Sequence, residues 1–293
     1  RKMVLLDGKK LAEEVKLEIK KEVDAMVDKG QRPPHLAAIL VGDNPASKAY
    51  VSTKIKFCED VGYGSTLIAL PGDTSEGALL EEVQKLNANG EIDGYIVQLP
   101  LPRHIDEQKI NLAIDPEKDV DGFHPMNFGK MAQGMDAFLP ATPYGILEML
   151  RRYQIPTEGK HCVVLGRSNI VGGPMSILMA RKGYPGNCTV TLVHSKTTHL
   201  AEELRRADII IAAIGIPHFV KADMVKEGAV VIDVGINRVE DKNKKSGYSL
   251  TGDVDFEGLK EKCSHLSPVP GGVGPMTVTA LMLNTLRAAQ KQA

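Results

Sequence analysis

Short apolar runs recur along this chain, and stretches with helical spacing lie between them. His35-Leu36-Ala37-Ala38-Ile39-Leu40-Val41-Gly42, His161-Cys162-Val163-Val164-Leu165-Gly166, Asp208-Ile209-Ile210-Ile211-Ala212-Ala213-Ile214-Gly215 and Ala229-Val230-Val231-Ile232-Asp233-Val234-Gly235 have this form. Such runs read as strands buried on both faces, as in a parallel sheet covered by helices. Thr66 to Leu70, Tyr95 to Leu99 and Thr189 to His194 read as further strands. Helical spacing is predicted over Lys9 to Asp28, Ala46 to Val61, Glu76 to Asn89, Gly172 to Lys182, Leu200 to Ala207 and Thr277 to Gln290. The alternation gives an α/β fold in two successive series, the second of which looks Rossmann-type. Residues 115 to 139, rich in Gly, Met and Asn, are expected to be irregular.

Composition narrows the function classes. At 293 residues the chain suffices for two domains, and its net charge of −1 offers nothing to nucleic acid or an anionic membrane. No apolar stretch approaches the roughly 20 residues that cross a bilayer. The segment Arg1 to Asp7 lacks a signal-peptide core, so a cytoplasmic location is expected. The 4 cysteines form no CxxC pair and the 8 histidines no HExxH, so no metal site is expected.

Three polar features stand against this apolar background. Tyr50 and Lys54 are four residues apart, about one helical turn, and share one helix face. Gln98 closes the apolar run Gly94-Tyr95-Ile96-Val97 and leads into Leu99-Pro100-Leu101-Pro102. Lys118-Asp119-Val120-Asp121-Gly122 puts two carboxylates in a turn. Together Lys, Tyr, Gln and Asp can hold a polar heterocycle and activate a water.

After Gly166 the chain reads Arg167-Ser168-Asn169-Ile170-Val171-Gly172, so the generic G-x-G-x-x-G fingerprint is absent. A helix N-terminus there can still hold phosphate through free N–H groups. At the end of the next strand, His194-Ser195-Lys196-Thr197 has no acid to bond a ribose 2′-hydroxyl. A hydroxyl with Arg167 and Lys196 nearby suits a 2′-phosphate, which favours NADP over NAD. Three segments rich in small residues, Val234 to Asn237, Thr251 to Val254 and Pro268 to Thr277, offer close backbone approach to a flat ligand, and the last is too rich in Gly and Pro to read as a regular element.

Taken together and in this order, Tyr50-x3-Lys54, Val97-Gln98-Leu99-Pro100-Leu101-Pro102, Lys118-Asp119-Val120-Asp121-Gly122, Gly166-Arg167-Ser168 and the Pro268-to-Thr277 run resemble one family over nearly the whole chain. It is the bifunctional methylenetetrahydrofolate dehydrogenase/methenyltetrahydrofolate cyclohydrolase (FolD) family. The resemblance implies a folate domain over 1-144 plus 276-293, with the C-terminal helix returning to it, and an NADP-binding Rossmann-type domain over 145-275. It also implies an active site in the cleft between them and a homodimer joined through the NADP domain.

By the same resemblance Lys54 is the main hydrolytic residue, with Gln98, Tyr50 and the pterin-binding Asp121 as its partners; Asp119 does not match the family's ligand and is expected to brace the loop. Val97, Leu99, Pro268, Gly271 and Gly272 are expected along the folate. Gly166, Arg167, Ser168, Ser195, Ile236 and Thr277 are expected around NADP. Two other readings stay open: a monofunctional dehydrogenase, and a non-catalytic NADP-binding protein of the same fold.

Overall fold

The computed structural model describes residues 1–292. The chain begins with β1 (Val4–Leu5), α1 (Gly8–Asp28), β2 (His35–Val41), α2 (Pro45–Val61), β3 (Gly64–Leu70), α3 (Glu76–Ala88) and β4 (Gly94–Val97). Three helices follow: α4 (Glu107–Ala113), α5 (Pro125–Ala132) and α6 (Ala141–Arg152). Next come β5 (His161–Leu165), α7 (Gly172–Ala180), β6 (Thr189–Val193), α8 (Leu200–Arg205), β7 (Ile209–Ala212) and β8 (Val230–Asp233). The chain closes with β9 (Asn237–Glu240), β10 (Tyr248–Thr251), α9 (Phe256–Leu259), β11 (His265–Leu266) and α10 (Val273–Gln292).

Two compact units result. One comprises Glu13–Ala141 and the chain from Val278 on; the other comprises Arg1–Ala12 and Thr142–Thr277.

The first unit holds a parallel sheet in the order β3-β2-β4. Exposure alternates along β3, whereas all four residues of β4 are buried. The 118–121 segment lies along the outer edge of β4. Tyr95 N–H donates to Lys118 O at 3.1 Å, and Tyr95 bridges Asp119 in parallel. Ile39, Leu79, Val83, Ile110 and Tyr95 fill the core beneath. The C-terminal helix α10 returns to this unit: Tyr63 donates its hydroxyl proton to Met282 O at 2.8 Å, and Asn284 Nδ2 donates to Val120 O at 2.9 Å and Leu139 O at 3.0 Å.

The second unit is a parallel sheet in the order β1-β11-β8-β7-β5-β6. From β5 the chain steps outward to β6, then crosses back to β7 and continues to β8 and β11. The order therefore reverses between β5 and β7. Open α/β sheets bind ligands outside the carboxyl ends of their strands at this switch point. Val163, Leu165, Ile210, Val231 and Leu266 are fully buried in the core of this unit.

Three elements differ from the sequence expectation. Residues 1–12 group with the six-stranded sheet, because β1 pairs with β11 and Val4 N–H donates to Ser264 O at 2.8 Å; a two-residue strand leaves no period to read. The stretch 115–139 contains α5, whose start is set by the His124 side chain accepting the Met126 N–H and by Pro125 in the first turn. The glycine-rich run 268–277 turns helical at Val273, with Pro275 in the first turn, where a missing N–H costs nothing.

Candidate active site and cofactor edge

Helix α2 presents Lys54. Asn44 starts it by accepting the Ala46 and Ser47 N–H groups, Pro45 occupies the first turn, and Gly62 at φ 85° ends it. Val51, Phe57, Cys58 and Val61 bury one face. Lys54 is half-buried, and Tyr50, one turn earlier, is 49% exposed.

Strand β4 delivers Gln98, whose N–H donates to Ile39 O at 2.9 Å as the ladder ends. The Gln98 side chain is oriented by its own neighbour: Nε2 donates to Leu99 O at 3.0 Å. Its Oε1 therefore faces Lys54, whose Nζ donates to it at 2.8 Å. Burial lowers the Lys54 pKa from the usual lysine range, against the opposing pull of the Asp121 charge. Burial likewise raises the Asp121 pKa, and the Lys54 charge opposes it. Each group is thus pushed toward its neutral form by desolvation and toward its ionised form by the other.

The Asp121 loop is tightly held. Asp121 O accepts the Ala141 N–H at 3.2 Å, and Gly122 sits at φ +73° against Leu139 and Pro140, where no Cβ fits. Asp119, almost fully buried, accepts Phe123 N–H at 3.3 Å, His124 N–H at 2.9 Å and Asn127 Nδ2 at 2.9 Å. Burial pushes its carboxyl up to about 7, the three donors oppose this, and the Asp121 charge adds to it. Lys118 of the same motif is a structural residue, donating to Leu86 O at 2.9 Å and Asn89 O at 2.7 Å.

The first unit thus brings Lys54, Gln98 and Asp121 together. The Val97 side chain lies in the core, while Leu99 is 38% exposed. Sequence reasoning missed Asn284, whose amide ties the carbonyl of Val120, just before Asp121, to that of Leu139. Its only signal was an amide in the apolar stretch Leu281-Met282-Leu283-Asn284-Thr285-Leu286.

In the second unit the switch point is closed by glycines. Gly166, at φ +114°, lies so close to Ala213 O that a Cβ would overlap it, and Gly172 is pressed against the Gly166 carbonyl in the same way. Backbone here can reach a ligand that a side chain would block. Ser168 shapes the turn: its Oγ accepts the Val171 N–H at 3.1 Å and its carbonyl the Gly173 N–H at 2.8 Å. Arg167 Nη1 is 3.4 Å from His194 Nε2, with Ser195 and Lys196 exposed beside it. Ile236 is 57% exposed. Thr277 Oγ1 is 3.0 Å from Thr142 Oγ1. Pro268 is half-buried, the Gly271 carbonyl accepts the first N–H groups of α1 from Gly8 and Lys9, and Gly272 fits against Pro268 O.

At the carboxyl edge of β7 and β8, two buried carboxylates that sequence reasoning did not single out bind main chain. Asp233 accepts Gly235 N–H at 3.0 Å, Asp253 N–H at 2.9 Å and Val254 N–H at 3.2 Å. Asp253 accepts Ile214 N–H at 2.8 Å, Gly215 N–H at 2.9 Å and Asn237 Nδ2 at 2.9 Å. Burial pushes Asp233 up to about 7, three N–H donors pull it down, and the Asp253 charge pushes it up again.

Comparison with known proteins matches both units. Residues 6–121 match the tetrahydrofolate dehydrogenase/cyclohydrolase catalytic domain, and residues 140–293 match the NAD(P)-binding domain of the same family. The bifunctional protein FolD of Flavobacterium psychrophilum is 59% identical over 290 residues, 99% of each chain. That of Bacteroides fragilis is 58% identical over 289 residues, again 99% of each. Among solved structures, the bifunctional FolD enzyme of Campylobacter jejuni superposes with a TM-score of 0.93 at 44% identity, covering 99% of this chain and 100% of that one. The Trypanosoma brucei methylenetetrahydrofolate dehydrogenase-cyclohydrolase, solved with NADP and an inhibitor, gives a TM-score of 0.93 at 36% identity, covering 99% and 98%. The chain belongs to the tetrahydrofolate dehydrogenase/cyclohydrolase family.

Proposed function

We propose that this chain oxidises 5,10-methylenetetrahydrofolate to 5,10-methenyltetrahydrofolate with NADP and then hydrolyses the methenyl cation to 10-formyltetrahydrofolate. The observation that carries the hydrolytic half is the Lys54 Nζ to Gln98 Oε1 hydrogen bond at 2.8 Å in a half-buried place beside Asp121.

Hydrolysis requires a water to lose a proton as it adds to the cationic carbon. A neutral lysine amine still has N–H to give Gln98 and keeps one lone pair to take that proton. Burial favours the neutral amine, and a cationic substrate beside it favours it further. Gln98 fixes the direction of the lone pair, since its own amide is locked by Leu99 O. Asp121 is the group suited to the pterin, because a carboxylate pairs with an amino group and a ring N–H together. Tyr50, exposed one turn from Lys54, is suited to orient the folate. Of the remaining folate residues, Leu99 offers an exposed side chain, Val97 and Gly271 offer main chain, and Pro268 and Gly272 shape the loop.

Oxidation needs no general base, because the folate nitrogen lone pair drives the hydride out. What the chain supplies is alignment. NADP, when bound, is the hydride acceptor. The glycine-lined switch point fits a dinucleotide: Gly166 and Ser168 suit the pyrophosphate turn, and Arg167 with Ser195 suits the 2′-phosphate. Ile236 and Thr277 complete the proposed contacts.

We also propose a cytoplasmic homodimer joined through the six-stranded unit. β6 supports this reading, since it ends the sheet with Thr189 and Leu192 exposed. Among the described residues no helix is long and apolar enough to cross a membrane.

The test is to follow methenyl decay without NADP and NADPH formation with it, in wild type and Lys54→Ala. Loss of decay with survival of NADPH formation supports the assignment; undiminished decay removes Lys54 from the reaction.

A further inference from the structure

We infer that Asp253 is a positioning residue for the Ile236 side of the proposed cofactor site, acting through the loop after β7 and through Asn237; the inference rests on the NADP reading above. Asp253 is fully buried, and its carboxylate meets three donors. Oδ2 takes both N–H groups of Ile214 and Gly215, and Oδ1 takes the Asn237 side-chain amide. A buried carboxylate is held only by such donors, so the donors are held by it in turn. The main chain of Asp253 is itself fixed: its N–H donates to Asp233 Oδ1 at 2.9 Å and its carbonyl accepts the Val220 N–H at 2.9 Å.

The groups tied together lie just past the ends of β7 and β8, beside the switch point. Ile214 and Gly215 precede Ile216, which is 42% exposed, and Asn237 follows Ile236, which is 57% exposed. One carboxylate therefore sets the two loops whose apolar side chains stand open on this edge. Space around it is used up: a Cβ on Gly235 would overlap the Asp253 carboxylate, and one on Gly252 would overlap that of Asp233. Neither loop can shift without breaking hydrogen bonds to a buried charge.

The chemistry of the pair offers a rescue. Asp253→Asn can accept from Ile214 and Gly215 only by turning its NH2 toward the Asn237 amide, which then either meets it donor against donor or has to give up its present orientation and flip to offer its oxygen. Adding Asn237→Asp restores a donor–acceptor pair with the same atoms exchanged. In Asp253→Asn the KM for NADP in the dehydrogenase reaction should rise by about tenfold, the cost of roughly one charge-assisted hydrogen bond. Hydrolysis of methenyltetrahydrofolate, assayed without NADP, should stay within about twofold on the same scale. The double variant Asp253→Asn/Asn237→Asp should recover most of the lost affinity.

An unchanged KM in the single variant would overturn the inference. So would a double variant as impaired as the single, or hydrolysis falling in step with oxidation. Should Asp253→Asn fail to fold, Asn237→Ala decides: it keeps the main-chain clamp, removes one donor, and should raise the KM for NADP by a few-fold, whereas an unchanged KM counts against the role. A wild-type protein that does not saturate with NADP would instead sink the cofactor reading itself.

Discussion

Lys54 and Arg167 are the two cations on which the functional reading turns, and the fold treats them in opposite ways. Lys54 is half-buried, desolvated and hydrogen-bonded to Gln98, with its pKa pulled below the usual range. Arg167 is exposed on a glycine-built turn, 3.4 Å from His194, with Ser195 and Lys196 in solvent beside it. The contrast fits the role proposed for each. A base has to be neutral near pH 7, which requires burial; a reader of phosphate has to remain charged, which requires water or permanent basicity. The positioning carboxylates follow the same logic. Asp119 and Asp233, each pushed up to about 7, are buried and tie down main chain.

The largest effect should come from removing the half-buried cation. Lys54→Ala should cut methenyl hydrolysis by roughly a hundredfold or more, the usual worth of a positioned acid–base group, while leaving measurable NADPH formation if folate is supplied at saturation. Parallel loss of both activities would break the separation drawn here.

Arg167→Ala should weaken NADP by roughly ten- to a hundredfold, since a charge-assisted hydrogen bond contributes about 1.5–3 kcal/mol. NAD binding should change much less. Equal losses for the two cofactors, read by titration, would show that Arg167 does not recognise the 2′-phosphate.

Packing behind the first site can be probed from β4. A Cβ at Gly94 would overlap the Val120 side chain, which is fully buried between Asp119 and Asp121. Gly94→Ala should therefore cost about 1–3 kcal/mol by overpacking, seen as a lower denaturant midpoint. A midpoint equal to that of wild type would mean that the 118–121 segment yields freely.

The smallest expected effect on hydrolysis at saturating folate is a shift of its pH profile. Asp121 raises the Lys54 pKa by its charge, so Asp121→Asn should lower that pKa further. A base works in its neutral form, so the rising limb of the hydrolysis profile, read at saturating folate, should move to lower pH. Movement to higher pH would mean that Lys54 is not the titrating group. Asp121→Asn should also weaken folate in both reactions while leaving NADP affinity intact.

How far the sequence speaks for itself differs between the two sites. Tyr50, Lys54 and Gln98 were legible because helical spacing and a strand ending put them in readable positions. The two parallel sheets were legible for the same reason, as their strands are continuous apolar runs. What escaped was long-range. Asn284 reaches Val120 across 164 residues, β1 has only two residues, and Asp253 bonds Ile214 from 39 residues away. None of these leaves a local pattern. Capping was a subtler omission: His124 and Pro125 start a helix inside a stretch whose Gly, Met and Asn content suggested a loop.

The central claim is that one chain carries a half-buried base for hydrolysis and a separate exposed reader for NADP. The most direct measurement incubates the wild-type protein with 5,10-methylenetetrahydrofolate and either NADP or NAD, following reduced cofactor and the methenyl chromophore together. The account predicts reduced cofactor with NADP in clear preference to NAD, and a methenyl signal that decays to 10-formyltetrahydrofolate. Methenyltetrahydrofolate that accumulates and decays no faster than in buffer alone, or cofactor reduction that favours NAD, would contradict it.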